Sequence, residues 1–223
     1  MFGPEGDGIG VTAAIVRLAE RAGVALRVPT GIESLCCGTP WSSKGFAAGH
    51  DVMRRRVVER LREATEGGRL PVVSAATSCS EGFAGLLAGI GVEVQDALAF
   101  AVAELLPRLD VDPAAKLPSL TLHPTCSSQQ MGLDPALGEV GRAVADEVHV
   151  PAAWGCCAFA GDRGMLHPEL TAAATAPEAA EVAALGATAH ASCNRTCEIG
   201  MTRATGESYV HVLELLERAT RVG

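Results

Sequence analysis

Apolar and polar positions alternate in blocks along the chain, and the period of each block predicts an element. Residues 8–23, GIGVTAAIVRLAERAG, repeat apolar side chains at helical spacing, which predicts a helix ended by Gly23. VALRVP (24–29) reads as a short strand. HDVMRRRVVERLREATEGG (50–68) predicts a charged, exposed helix, and LPVVSAA (70–76) a strand running towards Cys79. A second series begins at SLTLH (119–123), a strand delivering Cys126 just beyond its end. DPALGEVGRAVADEV (134–148) has helical spacing, and HVP (149–151) reads as a strand leading to Cys156 and Cys157. HPELTAAATAPEAAEVAALG (167–186) is an alanine-rich helix with a break expected near Pro177, and His167 belongs to its start. ATAHAS (187–192) is a strand ending near Cys193 and Cys197, and ESYVHVLELLERAT (207–220) closes as an amphipathic helix.

The two series are copies of one another. ALRVPTGIESLCCG (25–38) aligns with EVHVPAAWGCCA (147–158), each a strand, a brief loop and a cysteine pair. SAATSCSEGF (74–83) aligns with SCNRTCEIGM (192–201), which sets Cys79 opposite Cys197 and Ala75 opposite Cys193. The order predicts an α/β fold of two tandem βαβ-type repeats with mostly parallel sheets, residues 1–115 and 116–223. In such sheets ligand groups collect on loops beyond the carboxyl ends of strands, where the cysteines fall. The first copy starts late. A counterpart of Cys126 is expected at or just before residue 1, so the chain reads as the C-terminal piece of something longer.

Composition narrows the classes. The net charge of −8 gives no electrostatic footprint for nucleic acid or for a basic membrane-binding face. No apolar run approaches the roughly 18 residues that span a bilayer, and the start MFGPEGDGIG lacks the regions of a secretory signal. A soluble chain in a reducing cytoplasm is expected. There, eight clustered cysteines point to metal or redox chemistry more than to structural bridges.

The second half supplies Cys126, Cys156, Cys157, Cys193 and Cys197, five thiols where a tetrahedral zinc needs four. Such a set suits an iron–sulfur cluster, in which adjacent cysteines reach different metal atoms. Gly38, Gly161 and Gly164 would let backbone N–H groups approach cluster sulfur, and Arg163 or Lys44 would offset its negative charge. The first half has only Cys36, Cys37 and Cys79, an incomplete site that is empty or holds a labile metal. His123 reads either as an ordinary strand-end histidine or as a hydrogen-bond donor behind the metal ligands or a proton relay. Trp41 and Trp154 flank the two pairs, as core packing or as shields. No residue is singled out as catalytic.

Cys126, the pair Cys156–Cys157, then Cys193 and Cys197 resemble the cysteine-rich CCG domain. That domain is duplicated in heterodisulfide reductase and in the iron–sulfur subunit of glycolate oxidase. LCCGTPWSSKG, HPTCS and WGCCAFAGDRGMLHPEL are most similar to the C-terminal part of FAD-linked, iron–sulfur D-lactate dehydrogenases. The departures are Ala158 in place of the usual glycine, three residues rather than two between Cys193 and Cys197, and Ala75. The resemblance implies an electron-transfer domain with an iron–sulfur cluster, 4Fe-4S in type, in the second repeat. FAD would belong to a missing domain or a partner subunit, and electrons would pass towards a quinone or another acceptor. The chain would not be active alone, and would reach the inner membrane only through partners. Two alternatives stay open: a disulfide-reducing site like that of heterodisulfide reductase, and a zinc-bound or metal-free module docking on a flavoprotein.

Overall fold

A computed structural model describes residues 9–221. The first half runs α1 (Val11–Arg21), α2 (Thr39–Ser42), α3 (Ala47–Ala64), β1 (Val72–Ser74), α4 (Thr77–Leu87), β2 (Val94–Asp96) and α5 (Ala97–Phe100). The second runs β3 (Leu117–Leu122), α6 (Cys126–Gln130), α7 (Asp134–Val144), β4 (Ala145–His149), α8 (Arg163–Leu166) and α9 (Pro168–Leu185). It closes with β5 (Ala189–Ser192), α10 (Arg195–Thr205), β6 (Tyr209–His211) and α11 (Val212–Ala219). The fold is α/β, as expected. β4-β3-β5-β6 form one parallel sheet and β1-β2 a second, smaller parallel sheet.

The duplication explains the difference in size. α1, α3, β1, α4 and β2 follow the order of α7, α9, β5, α10 and β6. Residues 24–29 then correspond to β4, yet they form no ladder, contrary to the strand expected there. The reason is topological. β4 pairs only with β3, and β3 has no counterpart among the described residues of the first half. The expected thiol upstream of α1 falls outside the described residues.

Three other expectations are corrected. The helix read over 134–148 stops at Val144, where β-branched Val148 and its neighbours join β3 as β4. The closing segment begins as strand β6 and becomes helical only at Val212, because His211 caps α11 by accepting the Leu213 N–H. α9 runs unbroken through Pro177. Pro177 and Ala173, four residues earlier, are both exposed, so water can serve the carbonyl that proline leaves without a donor. α3 is charged as expected, but Met53, Val57 and Leu61 form a buried stripe beneath the charges.

The main core ignores the repeat boundary. Ile15 and Leu18 of α1 share one apolar cluster with Leu98, with Leu120 and Leu122 of β3, and with Leu213 and Leu216 of α11. Arg21 extends from α1 to the Glu217 carboxylate at 2.6 Å and to its carbonyl at 2.8 Å. The Glu217 side chain is wholly buried and also meets Arg221 at 2.8 Å, so its charge is paired rather than stranded.

Candidate metal centre

Strand ends place the thiols. β3 ends at Leu122 and hands on His123, Pro124 and Thr125. The Thr125 side chain accepts from the Ser128 N–H at 3.0 Å in a capping box, which opens α6 with Cys126 as its first residue. β5 ends at Ser192, so Cys193 stands one residue beyond the strand and Cys197 in the first turn of α10. Cys156 and Cys157 lie on the loop between β4 and α8. That loop is pinned at Ala152 and Ala153, whose N–H groups donate to Glu181 at 2.7 and 2.8 Å. Trp154 Nε1 donates to the Pro124 carbonyl at 2.6 Å. Trp154 is therefore a strap between two cysteine-bearing loops.

Two of the five thiols, Cys157 and Cys197, converge with His123, and Cys126 interacts with Cys156 at the exposed edge. The Cys157 and Cys197 sulfurs lie 3.1 Å apart, unbridged and buried. The hydrogen bond with Cys197 lowers the Cys157 pKa to about 5, against the opposing effect of burial and with a further contribution from His123. The same bond, then burial, raises Cys197 well above the usual thiol value. Cys126 is pushed up to about 11 by burial and by its hydrogen bond to Cys156. Both Cys126 and Cys156 are exposed, so this edge of the group faces solvent.

Cys193 lies deeper. It is fully buried in the main core, with the Thr125 and Thr77 hydroxyls at 3.8 and 4.0 Å from its sulfur. Burial pushes its pKa up to about 12. Its hydrogen-bond partners are hydroxyls on the seam between repeats, and its charge, like that of Cys126, raises the Cys197 pKa.

The first half repeats the pair. A hydrogen bond with Cys79 lowers Cys37 to about 5, and the Thr39 hydroxyl lies 3.4 Å from its sulfur. Cys79, in the first turn of α4, is raised by the same bond, and Cys36 is raised by burial. No fourth thiol joins them among the described residues. The two groups face one seam: Thr77 meets Thr125 at 3.1 Å, Ser78 meets Asn194 at 3.2 Å, and Lys44 pairs with Asp162.

Of the residues read as cofactor-binding, Gly164 has a packing contact, whereas Gly161 and Arg163 stand open at the surface. A Cβ on Gly164 would stand 2.5 Å from the Phe159 ring, so this glycine admits Phe159 beneath α8. Gly161 turns the backbone at φ 72° with open space around it. Arg163 is exposed at the start of α8, whereas Arg203 lies over Phe159 and donates to the Gly164 carbonyl at 3.3 Å. Lys44 ties the two pair-bearing loops together.

Sequence reading missed two features. Gly82 and Gly200 each stand three residues after an aligned cysteine. A Cβ on Gly82 would come within 2.8 Å of the Cys37 carbonyl, and one on Gly200 within 3.7 Å of the Cys157 Cβ. Only Gly82 is needed for the pair-bearing loop to lie against the helix that carries the partner thiol, since a Cβ on Gly200 would make ordinary contacts, and the aligned positions were the available signal. The other is Glu178, buried in α9, whose carboxylate lies 2.8 Å from His123 Nδ1. Nothing in its alanine-rich surroundings announces it. Burial alone would lower the His123 pKa, but hydrogen bonds to Cys157 and Glu178 raise it to about 9.

This donor set fits a thiophilic metal. Buried sulfurs at 3.1 Å without a bridge, two more thiols at the rim and a nitrogen base are chemistry that water or packing does not use. No described helix is long and apolar enough to cross a membrane. A family model described as CCG, cysteine-rich domain, matches residues 9–83 and 120–202. No curated protein matches the chain.

Proposed function

The chain belongs to the CCG cysteine-rich domain family, and on that premise we propose that its second half holds an iron–sulfur centre and relays electrons. The observation that carries this reading is the unbridged 3.1 Å approach of Cys157 to Cys197, with Cys126 paired to Cys156 at the surface and felt electrostatically by Cys197. Cys126, Cys156, Cys157 and Cys197 would hold the group, which when bound supplies one-electron redox chemistry. The protein's own part is to set its surroundings. Phe159, Ile199 and the buried thiols exclude water from one side, while exposed Cys126 and Cys156 leave the other side open to a partner.

The finer reading follows the resemblance. The chain would serve an FAD-linked dehydrogenase of D-lactate or a similar 2-hydroxy acid. Its flavin would reside on another domain or subunit, and a quinone or other acceptor would lie downstream.

Anaerobic reconstitution with iron and sulfide, followed by metal and sulfide analysis, tests the core of the proposal. Iron and sulfide together, with broad visible sulfur-to-iron absorption, are the expected result. Stoichiometric zinc without sulfide would overturn it in favour of a zinc-held docking module. Cys157→Ser should abolish assembly in the second half, whereas Cys36→Ser should change iron content far less. Equal losses would contradict the ranking of the two halves.

A further inference from the structure

We propose that His123 is a direct ligand of the metal centre, oriented by Glu178, so that the second half binds metal through nitrogen as well as sulfur. This inference rests on the preceding reading only for the identity of the metal.

The backbone of His123 is held on both sides. Its N–H donates to the Ala191 carbonyl at 2.9 Å and its own carbonyl accepts from the Ser192 hydroxyl at 2.7 Å. The side chain is 1% exposed. Its Nδ1 is taken by Glu178 at 2.8 Å, which leaves Nε2 for the thiol side. The ligand atoms of His123, Cys157 and Cys197 all lie within 4.8 Å of one another. Among the described residues this is the one trio of histidine, cysteine or carboxylate side chains so gathered.

The cost of the arrangement separates a ligand from core filler. A buried carboxylate is expensive unless it is paired and hydrogen-bonded. Glu178 is 1% exposed, and a strand-end histidine could have been satisfied by one backbone carbonyl. A carboxylate on one ring nitrogen with the other nitrogen facing thiols is the arrangement that fixes a metal-binding imidazole in tautomer and orientation. Added to the four thiols, a neutral imidazole contributes a donor without adding negative charge to the site.

Two measurements on the intact chain test this. The chain is loaded with Co2+ alone, and separately reconstituted with iron and sulfide. The wild type should take up cobalt with thiolate charge-transfer bands and a paramagnetically shifted, exchangeable ring N–H, the proton shared with Glu178. If iron and sulfide assemble, the reduced centre should show nitrogen coupling in electron spin-echo spectra. His123→Gln should lose both nitrogen signatures while keeping the thiolate bands. Glu178→Gln should weaken cobalt binding by about 10–100-fold. Failure of the wild type to bind cobalt, or nitrogen signatures absent from the wild type, would overturn the proposal whether or not the variants fold. An unchanged His123→Gln spectrum would overturn it as well. Cobalt held through His123 in a chain that never assembles iron and sulfide would sink the electron-relay reading and leave this one standing.

Discussion

At the scale of single residues, the loop after Cys156–Cys157 is strained at Ala158. Ala158 occupies the left-handed region at φ 54°, and its first-half counterpart Gly38 does so at φ 83°. An L-residue with a Cβ is disfavoured there by roughly 1–2 kcal/mol, which glycine avoids. Ala158→Gly should therefore stabilise the fold by about 1 kcal/mol, read as a rise in the urea midpoint at constant slope. A fall in the midpoint would show that the Ala158 methyl packs more than its backbone strains. Ala158 was visible as a departure from pattern, but the reason for glycine was not, since φ is not written in composition. Glu178 was less legible still. It meets His123 across α9 and β3, and no local periodicity reports a contact between residues so far apart.

At the scale of elements, the close approach of the first cysteine pair to α4 depends on a missing side chain. Gly82→Ala would place a methyl group 2.6 Å from the Thr39 hydroxyl and 2.8 Å from the Cys37 carbonyl. Overpacking of this kind costs roughly 1–3 kcal/mol, more than the helix propensity gained. Gly85, one turn later in α4, has nothing within 4 Å of its virtual Cβ. Gly85→Ala should stabilise by about 0.5–1 kcal/mol. Opposite signs in chemical denaturation would locate the effect at the Cys37 loop, and equal signs would refute it. Helices α1, α3, α7 and α9 were legible because their apolar spacing is local, whereas α4 and α10, which carry Cys79 and Cys197, were not read. Strands β2 and β6 were not, because three residues carry too little periodicity and their pairing is decided by the sheet. The unladdered segment 24–29 shows the converse. Its sequence is that of a strand, but a strand needs a neighbour.

At the scale of the whole molecule, a shared core makes the halves thermodynamically one unit. α1 packs on α11, and Arg21 neutralises buried Glu217 across the same junction. Residues 116–223 alone would expose the face that Ile15 and Leu18 cover. Such a fragment should lose cooperative unfolding or associate, which calorimetry and sedimentation would detect. Stability should also depend on pH. Burial lowers His211 from the ordinary 6.5 to about 4, so the folded state holds it neutral. Above 6.5 this group has no effect. As pH falls from 6.5 towards 4 the unfolded chain takes up a proton that the folded chain refuses. That should remove on the order of 3 kcal/mol across that window. His211→Asn, which retains a cap for α11, should flatten that part of the urea-midpoint profile. An unchanged slope would assign the acid sensitivity elsewhere.

The Lys44–Asp162 pair joins the loops that follow the two cysteine pairs, and both side chains stand roughly half in water. A tether of that kind is weak, because exposed ion pairs contribute little to stability and added salt competes with them. The mutual registry of the two cysteine loops is thus the part of this architecture that dissolved electrolyte can loosen first, while the buried sulfurs beneath stay as they are.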